Sequence, residues 1–220
     1  MDGLFLTLEG PDGSGKTTAL HKALAVLKTE FPVLTIVISR EPGGTAIAEK
    51  IRHVILDPAN ELMDNRTEAL LYAAARRQHI CEVILPHLRK GHIIISDRYV
   101  DSSIVYQGVA RHIGVEAVKT LNYFATEGLT PARTFYFDLD PEIGLKRIKK
   151  AGGDRPDDRL EKEKLAFHQE VREGYLALAK ENPDRIFTID ASRSVAQVQE
   201  DLYNELKEMI SSYMRKREKA

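Results

Sequence analysis

Short apolar, β-branched runs alternate along the chain with longer stretches whose apolar side chains recur every three or four positions. The runs Leu4–Leu8, Val33–Ser39, His92–Asp97, Thr134–Leu139 and Arg185–Asp190 predict five buried strands. Helical spacing predicts helices over Thr17–Lys28 (Leu20, Ala23, Leu24, Leu27), through Ile47, Ile51, Val54 and Ile55, and over Arg66–Leu88 (Leu70, Leu71, Ala74, Ile80). Further helices are predicted over Pro141–Lys150, from Leu160 to about Lys180, and over Val195–Met214. Strands alternating with helices specify an α/β fold with a parallel sheet flanked by helices, as one domain over residues 1–220. Residues 149–160 break the pattern. They are glycine-rich and charged, cannot bury an apolar face, and are expected to form a mobile lid or a plain charged loop.

The first strand runs into Gly10-Pro11-Asp12-Gly13-Ser14-Gly15-Lys16-Thr17-Thr18, which fits G-x-x-x-x-G-K-[ST] between a strand and a helix. In that context the helix N-terminus offers unpaired N–H groups and a favourable dipole to a phosphate. Lys16 is placed to reach β- and γ-phosphates, and the Thr17 hydroxyl to ligate Mg²⁺. The plain alternative is an ordinary Gly-rich βα turn, which the rarity of the pattern and its strand and helix context make the weaker reading. The expectation is a three-layer P-loop NTPase-type fold. Asp12 is the anomaly, because a carboxylate pointing into an anion cradle repels its ligand. It is expected to face a second substrate instead.

Composition narrows the partners. Of 220 residues 43% are apolar and 30% charged, with a net charge of −1. No broad basic surface for nucleic acid or anionic membranes is expected, so phosphate must be gripped by individual Arg and Lys residues. No apolar run approaches a membrane span, no signal-peptide pattern is expected, and Cys81 is the only cysteine. A cytoplasmic location follows as the expectation.

Other candidates sit at strand ends and on helix faces. Asp97 closes an apolar strand as a Walker-B-like acid for Mg²⁺, directly or through water, and Arg98 follows it. Arg40 ends the second strand and Arg52 lies on the next helix; each reads as an anion ligand or as a solvated surface charge. Tyr72 and Arg76, four apart on one helix face, could stack on a base and bond its edge, or be a half-buried Tyr beside a snorkelling Arg. Ser103, Tyr106 and Gln107 could line a pyrimidine edge or simply begin a helix. Arg155 and Arg159 in the charged segment could reach ATP phosphates.

These stretches together resemble the bacterial thymidylate kinases over essentially the whole chain. The resemblance is carried by Glu9–Thr18, Arg40-Glu41-Pro42-Gly43-Gly44, Thr67-Glu68-Ala69-Leu70-Leu71-Tyr72, and Asp97-Arg98-Tyr99 through Tyr106-Gln107-Gly108. It implies ATP as phosphoryl donor, Mg²⁺, dTMP as acceptor, and a homodimer. Lys16, Arg98, Arg155, Arg159 and Asp97 would be catalytic. Arg40, Arg52 and Arg98 would hold the acceptor phosphate and Asp12 the sugar 3′-hydroxyl. Tyr72 would stack on thymine where the family usually has Phe, Arg76, Ser103 and Gln107 would line the base, and Tyr106 would crowd the 2′ position. Arg159 is favoured over Arg155 as the lid arginine, and Arg147 is a weaker candidate at the adenine side. A nucleotide hydrolase, a non-catalytic nucleotide-binding module, and a kinase for another monophosphate are the competing readings. The absence of an Asn-Lys-x-Asp motif speaks against a GTPase switch.

Overall fold

A computed structural model describes residues 3–151, 159–160 and 162–218. Five strands, β1 (Leu4–Glu9), β2 (Ile36–Arg40), β3 (Ile93–Asp97), β4 (Arg133–Asp138) and β5 (Ile186–Asp190), form one sheet in the order β2-β3-β1-β4-β5. Every pairing is parallel, with Leu4–Leu8 of β1 aligned on Ile93–Asp97 of β3. The predicted α/β class is therefore observed. β1 sits at the centre and is buried throughout. Its period of two sends Leu4, Leu6 and Leu8 to one face, where they pack with Leu20, Leu24 and Leu27 of helix α1 (Lys16–Glu30). Phe5 goes to the other face, against Ile80, Ile84 and Leu88.

The remaining α-helices are α2 (Ala46–Leu56), α3 (Asn65–His79), α4 (Leu85–Arg89), α5 (Val100–Ser103), α6 (Val115–Thr126), α7 (Pro141–Ala151), α8 (Leu165–Glu181) and α9 (Val195–Arg217), and a π-helical stretch, Ile104–Ala110, continues α5. α9 packs Leu202, Leu206 and Ile210 onto the α1 side of the sheet. Its N-terminus carries a capping box between Ser194 and Gln197.

Several boundaries move for identifiable reasons. β2 begins at Ile36, because Val33 precedes the sheet and is 82% exposed. The single helix expected over Arg66–Leu88 is α3, a wider π-helical turn at Ile80–Ile84, and α4. Pro86 lacks the N–H that an α-helical ladder would need there, and the wide turn absorbs the break. α8 begins at Leu165, not near Leu160, because the Arg159 backbone N–H bonds the Leu56 carbonyl at 3.3 Å and leads the chain elsewhere. The predicted solvated tail is helical to Arg217, which donates to the Gly91 carbonyl at 3.2 Å. α6 was not anticipated; it leaves Tyr123 and Phe124 exposed, which blurs its apolar stripe. Among the described residues no helix is long and apolar enough to cross a membrane. Of the expected lid, residues 152–158, including Arg155, lie outside the described residues.

Candidate active site

Parallel strands bring all their carboxyl ends to one edge, so Glu9, Arg40, Asp97 and Asp138 terminate side by side. The chain leaves β1 toward β2 on one side and later returns to β4 on the other. The crevice between β1 and β3 is thus the switch point at which open α/β sheets bind ligands.

The loop after β1 adopts the shape its glycines allow. Gly10 has φ 131° and Gly13 φ 77°, and a Cβ on either would fall 2.6 Å from the Phe137 or Gly144 carbonyl oxygen. Lys16 is buried and folds back, its Nζ donating to the Gly10 carbonyl at 2.9 Å and the Pro11 carbonyl at 3.0 Å. Burial, reinforced by the nearby Arg98, pulls the Lys16 ammonium below its usual range. Arg147 reaches the loop from α7, donating to the Gly13 carbonyl at 3.3 Å and the Ala191 carbonyl at 3.1 Å.

Arg98 joins this loop to the second half of the crevice. Its Nη2 donates to Asp12 Oδ1 at 3.0 Å, and its Nη1 to Ser102 Oγ at 3.3 Å and Tyr106 Oη at 3.4 Å. Burial works against this cation, but Tyr106, Asp12, Tyr175 and Asp97 outweigh it and raise its pKa. Desolvation opposes the Asp12 anion too, although its side chain is 58% exposed, and Arg98, Lys16 and Arg52 outweigh it and bring the carboxyl down to about 2. Arg98 has φ 70°, a conformation that costs a non-glycine residue energy and must be held by its surroundings. The holder is Glu9. Its Oε1 accepts the N–H of Tyr99 at 2.8 Å, and its Oε2 accepts Ser102 Oγ at 2.5 Å and Tyr175 Oη at 2.7 Å. Full burial and then the neighbouring Asp101 push Glu9 up to about 7, against the pull of Arg98.

Beyond Arg98 the crevice opens into a cavity of about 1240 Å³, counting its mouth. Arg40, Arg52 and Arg98 line it together with Tyr72, Arg76, Ser103, Tyr106 and Gln107. Arg76 is buried and donates through Nε to Glu41 at 2.7 Å, through Nη1 to Ser103 at 3.1 Å and to Asn122 Oδ1, and through Nη2 to the Tyr99 carbonyl at 3.0 Å. A guanidinium has five N–H groups, so one on Nη2 is left for the cavity. Burial raises the Tyr72 hydroxyl, with the Glu68 charge adding to the effect, and keeps this ring neutral beside the cations.

The profile of the family described as thymidylate kinase matches residues 8–202. A thymidylate kinase of Lactobacillus acidophilus is 51% identical over 216 residues, covering 96% of each chain. Those of Enterococcus faecalis and Latilactobacillus sakei are 54% and 57% identical, covering 92% and 90% of this chain and 95% and 92% of their own. The chain belongs to the thymidylate kinase family.

Against the thymidylate kinase expectations, the structure gathers Asp12, Arg40, Arg52, Tyr72, Arg76, Asp97, Arg98, Ser103, Tyr106 and Gln107 around one cavity. Arg159 is elsewhere in this conformation. It is buried against α2 and α3, donating to the Ile55 carbonyl at 2.9 Å and to Glu68, and not to the phosphate loop. Thr17 and Thr18 are exposed at the start of α1. Arg40 is tied to Glu49 at 2.8 Å and Arg52 to the Pro42 carbonyl at 2.9 Å, so both are held in place along the cavity wall. Four buried partners were not singled out from sequence: Glu9, Glu41, Glu68 and Asn122. Glu9, Glu41 and Glu68 fall inside the stretches that carry the family resemblance. An acid closing an apolar strand, as Glu9 does after Leu8, is the signal that flagged Asp97 and applies equally to it. Asn122 lies on the unanticipated α6 and had no signal.

Proposed function

We propose that the protein transfers the γ-phosphoryl group of ATP to dTMP, giving dTDP and ADP. The observation that carries this reading is Arg98, one side chain that bonds Asp12 in the phosphate loop and lines the adjoining cavity with Arg40 and Arg52. A donor phosphate in the loop and an acceptor phosphate at Arg40, Arg52 and Arg98 would then meet across a single guanidinium. An acceptor site built beside the donor loop is what a kinase needs and a hydrolase does not.

In this reading Tyr72 stacks on thymine, the spare N–H of Arg76 meets O4, Ser103 and Gln107 line the base, and Asp12 takes the 3′-hydroxyl. Tyr106 is buried beside Arg98 and restricts space at the 2′ position. A phosphate monoester is already largely dianionic at neutral pH, its second pKa being about 6, so the acceptor needs no general base. Rate enhancement comes from alignment and from charge set in place before reaction. Lys16 and Arg98 supply that charge, joined by Arg155 and by Arg159 once it leaves Glu68. Arg147 lies between the phosphate loop and Ala191, where the adenine side of ATP would pass. The residues present suit Mg²⁺: Asp97 Oδ1 is buried with no hydrogen-bond partner among the described residues, and the Thr17 hydroxyl stands at the helix start. Asp97 and Thr17 would hold the ion, which neutralises phosphate charge when bound. A homodimer is part of the same reading, and exposed Val54, Leu70, Tyr123 and Phe124 on the packed helices α2, α3 and α6 offer apolar surface for it.

The test is ADP release from ATP and Mg²⁺ with dTMP, dUMP, CMP, AMP, GMP or no acceptor. Strong turnover with dTMP and weaker turnover with dUMP is expected. Equal turnover without an acceptor would make the chain a hydrolase and leave the cavity unexplained.

A further inference from the structure

Glu68 takes no part in the transfer described above, yet it is fully buried behind Gln107, which lines the cavity. Four contacts surround its carboxylate. Gln107 Nε2 donates to Oε1 at 2.8 Å, Arg111 approaches through Nε at 3.4 Å and Nη2 at 3.3 Å, and Arg159 Nη2 bonds Oε2. With two guanidinium groups against it, Glu68 acts as an anion that accepts hydrogen bonds and donates none.

That chemistry decides which way the Gln107 amide faces. Only its NH₂ group can point at an acceptor-only partner, so its carbonyl Oε1 must point the other way. Gln107 lines the cavity, and Oε1 has no hydrogen-bond partner among the described residues. Arg76 lines the same cavity with one N–H left over from its bonds, and an arginine can only donate. The cavity therefore presents one donor and one acceptor in a sense that neither side chain can reverse. A 4-oxo pyrimidine supplies the complement, a carbonyl acceptor at position 4 and an N–H donor at position 3. Cytosine supplies the opposite, an amino donor at 4 and a bare acceptor nitrogen at 3. Both of its groups would meet their own kind, and buried polar groups left unpaired are costly.

We infer that Glu68 is a specificity-determining positioning residue, which locks the Gln107 amide so that the cavity accepts 4-oxo pyrimidine monophosphates and rejects 4-amino ones. The inference rests on the dTMP kinase reading of the same cavity.

The measurement is the ratio of kcat/KM for dTMP to that for dCMP. Glu68→Gln replaces an acceptor-only partner by an amide that can donate or accept, which frees Gln107 to turn over. The ratio should fall by about tenfold or more, mainly through a lower KM for dCMP and a higher KM for dTMP, with KM for ATP unchanged. Glu68→Asp keeps the charge that Arg111 and Arg159 require but draws it back from Gln107. It should lower the ratio too, and it covers the case in which Glu68→Gln does not fold. Both acceptors are assayed on one preparation, so a smaller folded fraction, or a disturbed Arg159, cancels in the ratio. In a Gln107→Ala background the Glu68 substitutions should leave the ratio unmoved. A ratio within twofold of wild type in whichever Glu68 variants fold would overturn the inference while leaving the kinase reading intact. A wild-type chain that phosphorylates neither nucleotide would defeat both.

Discussion

Arg76 and Glu41 form an ion pair at 2.7 Å with each side chain only 2% exposed, and the other Glu41 oxygen is bonded to His79 Nδ1 at 2.9 Å. The arginine proposed above to contact the base is thus also a buried structural cation. Arg76→Ala should raise the KM for dTMP and also destabilise the fold by about 3–5 kcal/mol, because Glu41 loses its partner in a dry site. Urea unfolding of Arg76→Ala and of Arg76→Ala/Glu41→Gln checks this. The double variant should recover part of the loss, and equal stability of Arg76→Ala and wild type would show the pair to be dispensable.

Lys16 rests on its own loop's carbonyls at 2.9 and 3.0 Å, a geometry that keeps a cation waiting where the donor phosphates would arrive. Lys16→Ala should lower kcat on the order of 10³-fold, the scale for losing one preorganised charge-stabilising group. Single-turnover assays at saturating ATP separate this from weaker binding. A kcat within a few-fold of wild type would remove Lys16 from the transfer step.

Glu9 imposes a pH dependence on stability whose sign can be worked out. Its carboxyl is raised from 4.5 to about 7 in the fold by burial and by Asp101, so between those values the native state binds more protons than the unfolded chain. Stability from this group is fully present below about 4.5 and is lost as pH rises through about 7. Asp12, lowered to about 2, acts in the opposite sense and only below about 4. Glu9→Gln should forfeit hydrogen bonds at every pH but escape the slope. The gap in melting temperature between wild type and Glu9→Gln should therefore be narrower at about pH 8 than at about pH 5.5. A gap unchanged between about pH 5.5 and pH 8 would mean Glu9 is ionised throughout that range.

Two glycines of the phosphate loop separate backbone strain from crowding. Gly10 has φ 131° and its Cβ would meet the Phe137 carbonyl oxygen at 2.6 Å, whereas Gly15 has φ 85° with nothing within 4 Å. Gly15→Ala should cost only the left-handed conformation, about 1–2 kcal/mol. Gly10→Ala must also push β4 away, so its melting temperature should fall further. Equal losses would show that the loop moves freely against β4.

Much of this molecule is legible from local sequence. A run such as His92–Asp97 can bury both faces only inside a parallel sheet, and the glycine spacing before Lys16 admits little besides a phosphate cradle. These are short-range statements, set by periodicity and by the steric freedom of single residues. Tyr72 with Arg76 and Ser103 with Gln107 were likewise visible as pairs one helical turn apart.

The sequence by itself determined the sheet, the phosphate loop and the residue types around the cavity. Only the tertiary structure decided what those residues are held by. Glu9 meets Tyr175 across 166 positions, Arg76 meets Asn122 across 46, and Glu68 meets Gln107 across 39 and Arg159 across 91. No period links such positions, because each pair lies on separate elements brought together by packing. The physical reason is that a buried polar group must find its partner wherever the fold supplies one. In Glu68 that requirement drew a predicted phosphate ligand, Arg159, onto a buried carboxylate between α2 and α3.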